Sequence, residues 1–390
     1  MWQVMTPVDT DNDTTVPEIS VILPALNEET TIGICIEKIQ QVFRSIGVNG
    51  EIIVSDSSTD STPEIARSKG AVVVHPRHHG YGYAYLEGFR NARGAYIVIG
   101  DADNTYDFLE IPLLIKKLDE GADLVIGSRF KGKILDGAMI PLHRYIGNPL
   151  LTWVLNRVFG TGFSDTHSGF RAIRADSLKK LNLQSWGMEF ASEMLIKASR
   201  EGLKITEVPI TYYPRATPSK LSSYSDGWRH LRFILLLRPM PFLTLPGVFC
   251  TVFGFILMAA FYTSANNPDG RTHSFILGTI LLTGGFQLLL SGMVIKVYSA
   301  VHGFERREGL AERLLNYQTL EKFLVAGSVL VLTGLIIGIF ILWGWMKTGF
   351  GSLYQITNAV LSLSLVIIGL EIVFMAVFIS MMCLNDDNPS

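Results

Sequence analysis

Between residues 19 and 126 the chain alternates short apolar runs with longer stretches whose apolar positions recur every three to four residues. The short runs predict strands at 19–24, 51–55, 71–74, 95–100 and 123–126. The periodic stretches predict helices at 30–45, 63–69 and 82–92. Strands that alternate with helices build a mainly parallel α/β sheet with helices on both faces. Ligands of such sheets bind beyond the carboxyl ends of the strands. Asn27-Glu28, Asp56 and Asp101–Asp103 fall at three such ends, which predicts one shared site.

Past residue 240 the pattern changes. Apolar runs at 241–263, 275–298, 323–346 and 356–383 each exceed the roughly 20 residues a bilayer-spanning helix needs. Arg306, Arg307, Arg313 and Lys322 lie between the second and third runs, while the two outer connections hold only Arg271 and Lys347. The positive-inside rule then predicts a cell-membrane protein of four spans, its catalytic domain and both termini cytoplasmic. Two further segments have the mixed basic and aromatic character of helices in a headgroup layer. One is 142–159, with Ile146, Leu150, Trp153 and Val154 near one face; the other is 226–238, with Trp228 and Leu231 among four basic side chains. The Pro-, Ser- and Thr-rich stretch 214–225 between them reads as a mobile loop, favoured as a lid. The expected organisation is a flexible tail at 1–16, an α/β domain at 17–215, loop and interfacial helix at 216–240, four transmembrane helices at 241–384 and a tail at 385–390.

Composition narrows this picture. A mean hydropathy of +0.31 with 17% charged residues suits a hydrophilic domain joined to a membrane domain. The net charge of -2 argues against a nucleic-acid binder. Cys35, Cys250 and Cys383 are far apart and predict neither a disulfide framework nor a zinc site. Residues 1–16 lack the basic and apolar regions of a signal peptide.

Asp101-Ala102-Asp103, at the end of an apolar strand, can hold a hard cation such as Mg²⁺ or Mn²⁺ together with a diphosphate. Asp56, in the polar turn 55–60, can accept from the N–H edge of uracil or guanine, while Asp60 suits a helix cap. The histidines of 75–79 lack carboxylates at helical spacing, so that loop reads as solvated or phosphate-facing. Arg129 ends another strand, Arg144 begins the interfacial segment and Arg215 begins the loop, which suggests a cradle for a lipid phosphate. Joined to spans that live in lipid, the site predicts an enzyme carrying an activated, water-soluble group to a lipid acceptor.

These motifs occur in a telling order: residues 21–28, the Asp56 turn, Asp101–Asp103, Gly127-Ser128-Arg129, 165–171, Gly187-Met188-Glu189 and Ser219-Lys220-Leu221. Over residues 17–239 the chain resembles the inverting family 2 glycosyltransferases that make dolichyl- or polyprenyl-phosphate sugars. The resemblance implies a GT-A fold, a UDP- or GDP-hexose donor, Mg²⁺ or Mn²⁺, and a polyprenyl or dolichyl phosphate acceptor in the bilayer. It implies that Pro24, Ala25, Asn27 and Glu28 bind base and ribose with Asp56, and that Asp101, Ala102 and Asp103 bind metal and diphosphate. Arg129, Arg144 and Arg215, with Lys220, would face the lipid phosphate. Asp103 and Asp165 would be the catalytic residues, Asp165 as a positioning or electrostatic group or, alternatively, as a general base. Glu189 would orient nearby helices or the acceptor, and a homo-oligomer could form through the membrane domain. Three positions depart from the pattern: Leu26 replaces the usual Tyr, Ser55 the first Asp of a paired turn, and Thr105 a Gln that can ligate metal. Transfer to a lipid hydroxyl and processive polysaccharide synthesis are alternatives; the latter's Gln-x-x-Arg-Trp motif is absent from this sequence.

Overall fold

The computed structural model describes residues 16–216, 228, 232, 240–262, 271–301, 309–350 and 355–384. They fall into two compact units, one holding the described residues up to 232 and the other those from 240 onward. In the first, seven strands form one sheet: β1 (Ile19–Ala25), β2 (Gly50–Asp56), β3 (Val72–Val74), β4 (Tyr96–Ile99), β5 (Leu124–Ile134), β6 (Arg171–Arg174) and β7 (Ile205–Tyr212). Their order is β3-β2-β1-β4-β6-β5-β7. Only β6 runs antiparallel to its neighbours, β4 and β5. This is the mainly parallel GT-A arrangement.

Strand alternation divides β1 between two cores. Val21 and Leu23 face a cluster built with α1 (Ile32–Ile46) and α4 (Ile111–Asp119). Ile22 faces the cluster formed with Tyr85 of α3 (Tyr81–Asn91) and with Phe190, Met194 and Leu195 of α7 (Phe190–Arg200). Both faces are covered, which is why β1 reads as an unbroken apolar run. The helix α2 (Thr62–Ser68) completes the first half and α6 (Ala175–Leu181) follows β6.

Two strands exceed the five expected. β6 is four residues long and half arginine, so its apolar signal is short. β7 alternates well but contains Glu207 and Pro209; Pro is tolerated because β7 is an edge strand. A further difference concerns β5. It runs past the expected end at 126, through Arg129, to Ile134, with a register irregularity between Ser128 and Lys133.

The segment expected as one helix over 142–159 is divided. Residues His143–Gly147 form a π turn that feeds α5 (Asn148–Phe159). Pro149 has no N–H to donate back along the helix, which favours such a break. Leu142, Tyr145, Ile146, Leu150 and Trp153 are exposed, whereas Thr152 and Leu155 are buried against the domain. Most of the expected loop and helix over 216–240 lies outside the described residues.

The second unit contains four helices long and apolar enough to cross a membrane: Phe242–Phe261, Thr272–Val301, Tyr317–Lys347 and Ile356–Met382. The second and third extend beyond their apolar runs at both ends. The helices pair first with second and third with fourth. A Cβ on Gly254 would stand 2.4 Å from Leu282 N, and one on Gly327 2.7 Å from Gly369 O, so backbones touch where side chains are missing.

Candidate active site

The loops after β1 and β2 are stitched together. The chain leaves β1 through Pro24 and buried Ala25 and turns at Asn27, whose φ of +54° is left-handed. The Asn27 side-chain Oδ1 accepts from Thr59 N at 2.8 Å, and its backbone N donates to Ser58 Oγ at 2.7 Å. Glu28 N donates to Thr62 Oγ1 at 2.9 Å. Asp60 accepts from the backbone of Thr62 and Glu29, but the N-cap of α2 is Ser61, so Asp60 braces the turn one residue before the cap. Asp56, 2% exposed, keeps Oδ1 without a hydrogen-bond partner among the described residues. Its Oδ2 lies 3.8 Å from His75 Nδ1, and that nitrogen is 3.1 Å from the Asp56 carbonyl oxygen.

The turn after β4 holds its two carboxylates differently. Asp101 Oδ1 accepts from Tyr81 Oη at 2.9 Å and Tyr85 Oη at 3.5 Å. Burial, reinforced by the neighbouring Asp103 charge, pushes its carboxyl up to about 7. Asp103 Oδ1 accepts from Thr105 N at 3.1 Å and Thr105 Oγ1 at 2.6 Å. Asp103 Oδ2 is 2.8 Å from Arg215 Nη2, which also lies 3.8 Å from Glu28 Oε1. One guanidinium thus gathers the β1 and β4 strand ends. Thr105 serves here as a brace for Asp103.

Arg129 and Asp165 form a separate buried pair. Arg129 Nε donates to Asp165 Oδ2 at 2.7 Å and Nη2 to Oδ1 at 2.8 Å. The residues after Asp165 are fixed by Arg171, whose buried guanidinium donates to the carbonyls of Thr166, Ser168 and Ala191. Glu207 accepts from the backbone of Ser164 and Asp165.

The arginines expected to cradle one phosphate have different partners, although Arg129 and Arg215 both lower the Asp101 carboxyl by their charge. Arg215 sits on the donor-side carboxylates and Arg129 faces Asp165. Arg144 lies on the π turn with its guanidinium 5.5 Å from the Tyr145 ring centre. Lys220 lies outside the described residues. Glu189 Oε1 accepts from Gly187 N at 3.2 Å, within its own turn. Sequence reasoning did not single out Tyr81, Tyr85 or Arg171. The two tyrosines were legible in principle, since their four-residue spacing puts both hydroxyls on one face of α3.

Among the described residues no group of three or more His, Cys, Asp or Glu side chains forms a ready metal cage. Asp101 and Asp103 offer oxygen donors only. Such a set fits a hard cation that completes its shell with substrate phosphates and water.

Residues 20–181 match Glycosyl transferase family 2, and residues 293–383 match the Glycosyltransferase family 2 C-terminal transmembrane region. The low-salt glycan biosynthesis hexosyltransferase Agl6 of Haloferax volcanii is 41% identical over 365 residues, 92% of this chain and 87% of that protein. A dolichyl-phosphate hexose transferase of the same organism is 31% identical over 215 residues, 55% of this chain and 90% of its own length. The crystal structure of glucosyl-3-phosphoglycerate synthase from Mycobacterium tuberculosis with Mn²⁺, UDP and glucosyl-3-phosphoglycerate is 27% identical, with a TM-score of 0.45. It covers 56% of this chain and 78% of that one. The chain belongs to glycosyltransferase family 2. It is a membrane hexosyltransferase, with a GT-A catalytic domain and a C-terminal transmembrane region.

Proposed function

We propose that the enzyme moves a hexose, with inversion, from a UDP- or GDP-hexose to polyprenyl or dolichyl phosphate. The observation that carries this reading is the presence, in one chain, of buried strand-end carboxylates and four helices able to cross a bilayer. The unfilled Oδ1 of buried Asp56 suits the N–H edge of the base. Pro24, Ala25, Asn27 and Glu28 shape the neighbouring wall for base and ribose. Asp101 and Asp103 would hold Mg²⁺ or Mn²⁺. When bound, the ion neutralises charge that develops on the leaving diphosphate.

On the acceptor side, a phosphate monoester carries about −1.5 to −2 charge at pH 7 and attacks without a general base. That fits Asp165, whose oxygens are both engaged by Arg129. Asp165 then acts by holding Arg129, which lends a positive field to the acceptor. Arg144 lies on the segment that exposes Leu142, Tyr145, Ile146, Leu150 and Trp153, a surface suited to a headgroup layer. It is the direct phosphate contact in this reading, with Lys220 as a second cation. The basic connection between the second and third spans supports a catalytic domain and termini on the cytoplasmic side.

The test is kcat/KM for a short polyprenyl phosphate beside the Kd of the nucleotide. A charge-assisted hydrogen bond contributes on the order of 1.5–3 kcal/mol, so Arg144→Ala should lose roughly ten- to a hundredfold in acceptor efficiency with nucleotide affinity unchanged. Equal losses in both would move Arg144 to the donor side, and no loss would return it to the surface.

A further inference from the structure

Three arginines are anchored around this site, and they differ in how completely they are satisfied. Arg129 sets Nε and Nη2 on one carboxylate, and Arg171 donates to three carbonyls. Arg215 meets Asp103 and Glu28 through Nη2, while its buried Nε has no hydrogen-bond partner among the described residues. Its fork is half used. Arg215 is therefore held chiefly by charge.

We propose that Arg215 is the counter-cation of the donor-site carboxylates Asp103 and Glu28, and that it gives up Asp103 when a divalent cation binds. The inference rests on the reading of Asp103 as a metal ligand. Glu28 and Asp103 are each 5% exposed, and two buried carboxylates brought together need a positive partner. Thr105 occupies Oδ1 of Asp103 with two donors, which leaves Oδ2 as the oxygen open to a cation. Arg215 has it. A divalent ion on Oδ2, at about 2.1 Å, would stand no more than about 5 Å from the guanidinium nitrogen. Like charges that close repel each other, most of all beside carboxylates as buried as Asp103 and Glu28.

The two cations therefore compete for one oxygen. Coupling of this kind is reciprocal: loss of Arg215 tightens the ion, and arrival of the ion frees Arg215. A freed guanidinium is a planar fork matched to phosphate oxygens. Binding of the cation thus converts a group that neutralises carboxylates into one that can take a phosphate of either substrate.

The experiment uses the full-length protein in detergent and Mn²⁺ alone, its free concentration read by electron paramagnetic resonance. Arg215→Gln should bind Mn²⁺ about tenfold more tightly than wild type, within the usual range of site coupling. Arg215→Lys, which keeps the charge, should fall between. Arg90→Gln removes the same charge from an exposed position on α3 and should stay within about twofold. Melting in EDTA should be lower for Arg215→Gln than for wild type, and Mn²⁺ should restore most of the difference. Unchanged or weaker Mn²⁺ binding by Arg215→Gln, with Asp103→Asn abolishing it, overturns the counter-cation role alone. Mn²⁺ binding that survives Asp103→Asn overturns the metal reading beneath it.

Discussion

Asp165 is committed to Arg129. Besides the two side-chain bonds, Asp165 Oδ2 accepts the Arg129 backbone N–H at 3.1 Å, and the pair is 0% and 7% exposed at its side chains. The contact ties the irregular part of β5 to the loop that leads into β6. Removing one partner leaves a buried charge, which costs about 3–5 kcal/mol. Arg129→Ala and Asp165→Ala should each lose that much stability, and the double variant less than the sum. Urea unfolding of the three proteins checks this; additive losses, or single losses below about 1 kcal/mol, would contradict the coupling.

The acidity of Asp101 gives a pH dependence. Its folded value of about 7 lies above that of a free carboxyl, so the fold binds this proton more tightly than the unfolded chain does. Its contribution to stability is therefore lost as pH rises toward and past 7. A cation at the site must displace the proton. Mn²⁺ affinity should accordingly weaken below pH 7, by at most about tenfold per unit. Titration at several pH values reads it, and an affinity flat from about pH 5.5 to 7.5 would exclude Asp101 from the metal site.

Orientation is testable independently of chemistry. Cysteine labels placed near Arg313 should be reached from the cytoplasmic side, and labels near Arg271 or Lys347 from the opposite side. Labelling of all three positions from one side would reject the four-span topology.

Much of this architecture was legible because its signals are long and regular. The four apolar runs and the strand ends at Asn27, Asp56 and Asp101 follow from periodicity alone. Three features were hidden for distinct reasons. β6 is masked by Arg171 and Arg174, since a buried arginine satisfied by carbonyls looks from sequence like a surface charge. The break at His143–Gly147 depends on one proline in an otherwise helical pattern. The partners of the arginines could not be read at all, because Asp165 lies 36 residues from Arg129, and Arg215 meets Asp103 and Glu28 only through the fold.

The most direct measurement follows labelled hexose into lipid. Membranes containing the enzyme are incubated with UDP- or GDP-hexose, a polyprenyl phosphate and Mn²⁺, and the extracted lipid is then treated with mild acid. The proposed function predicts label from one nucleotide sugar in an acid-labile lipid phosphate, lost with EDTA and in Asp103→Asn. Label in an acid-stable glycolipid would contradict the acceptor. Transfer by Asp103→Asn within about twofold of wild type, with EDTA harmless, would contradict the metal-assisted chemistry on which the account depends.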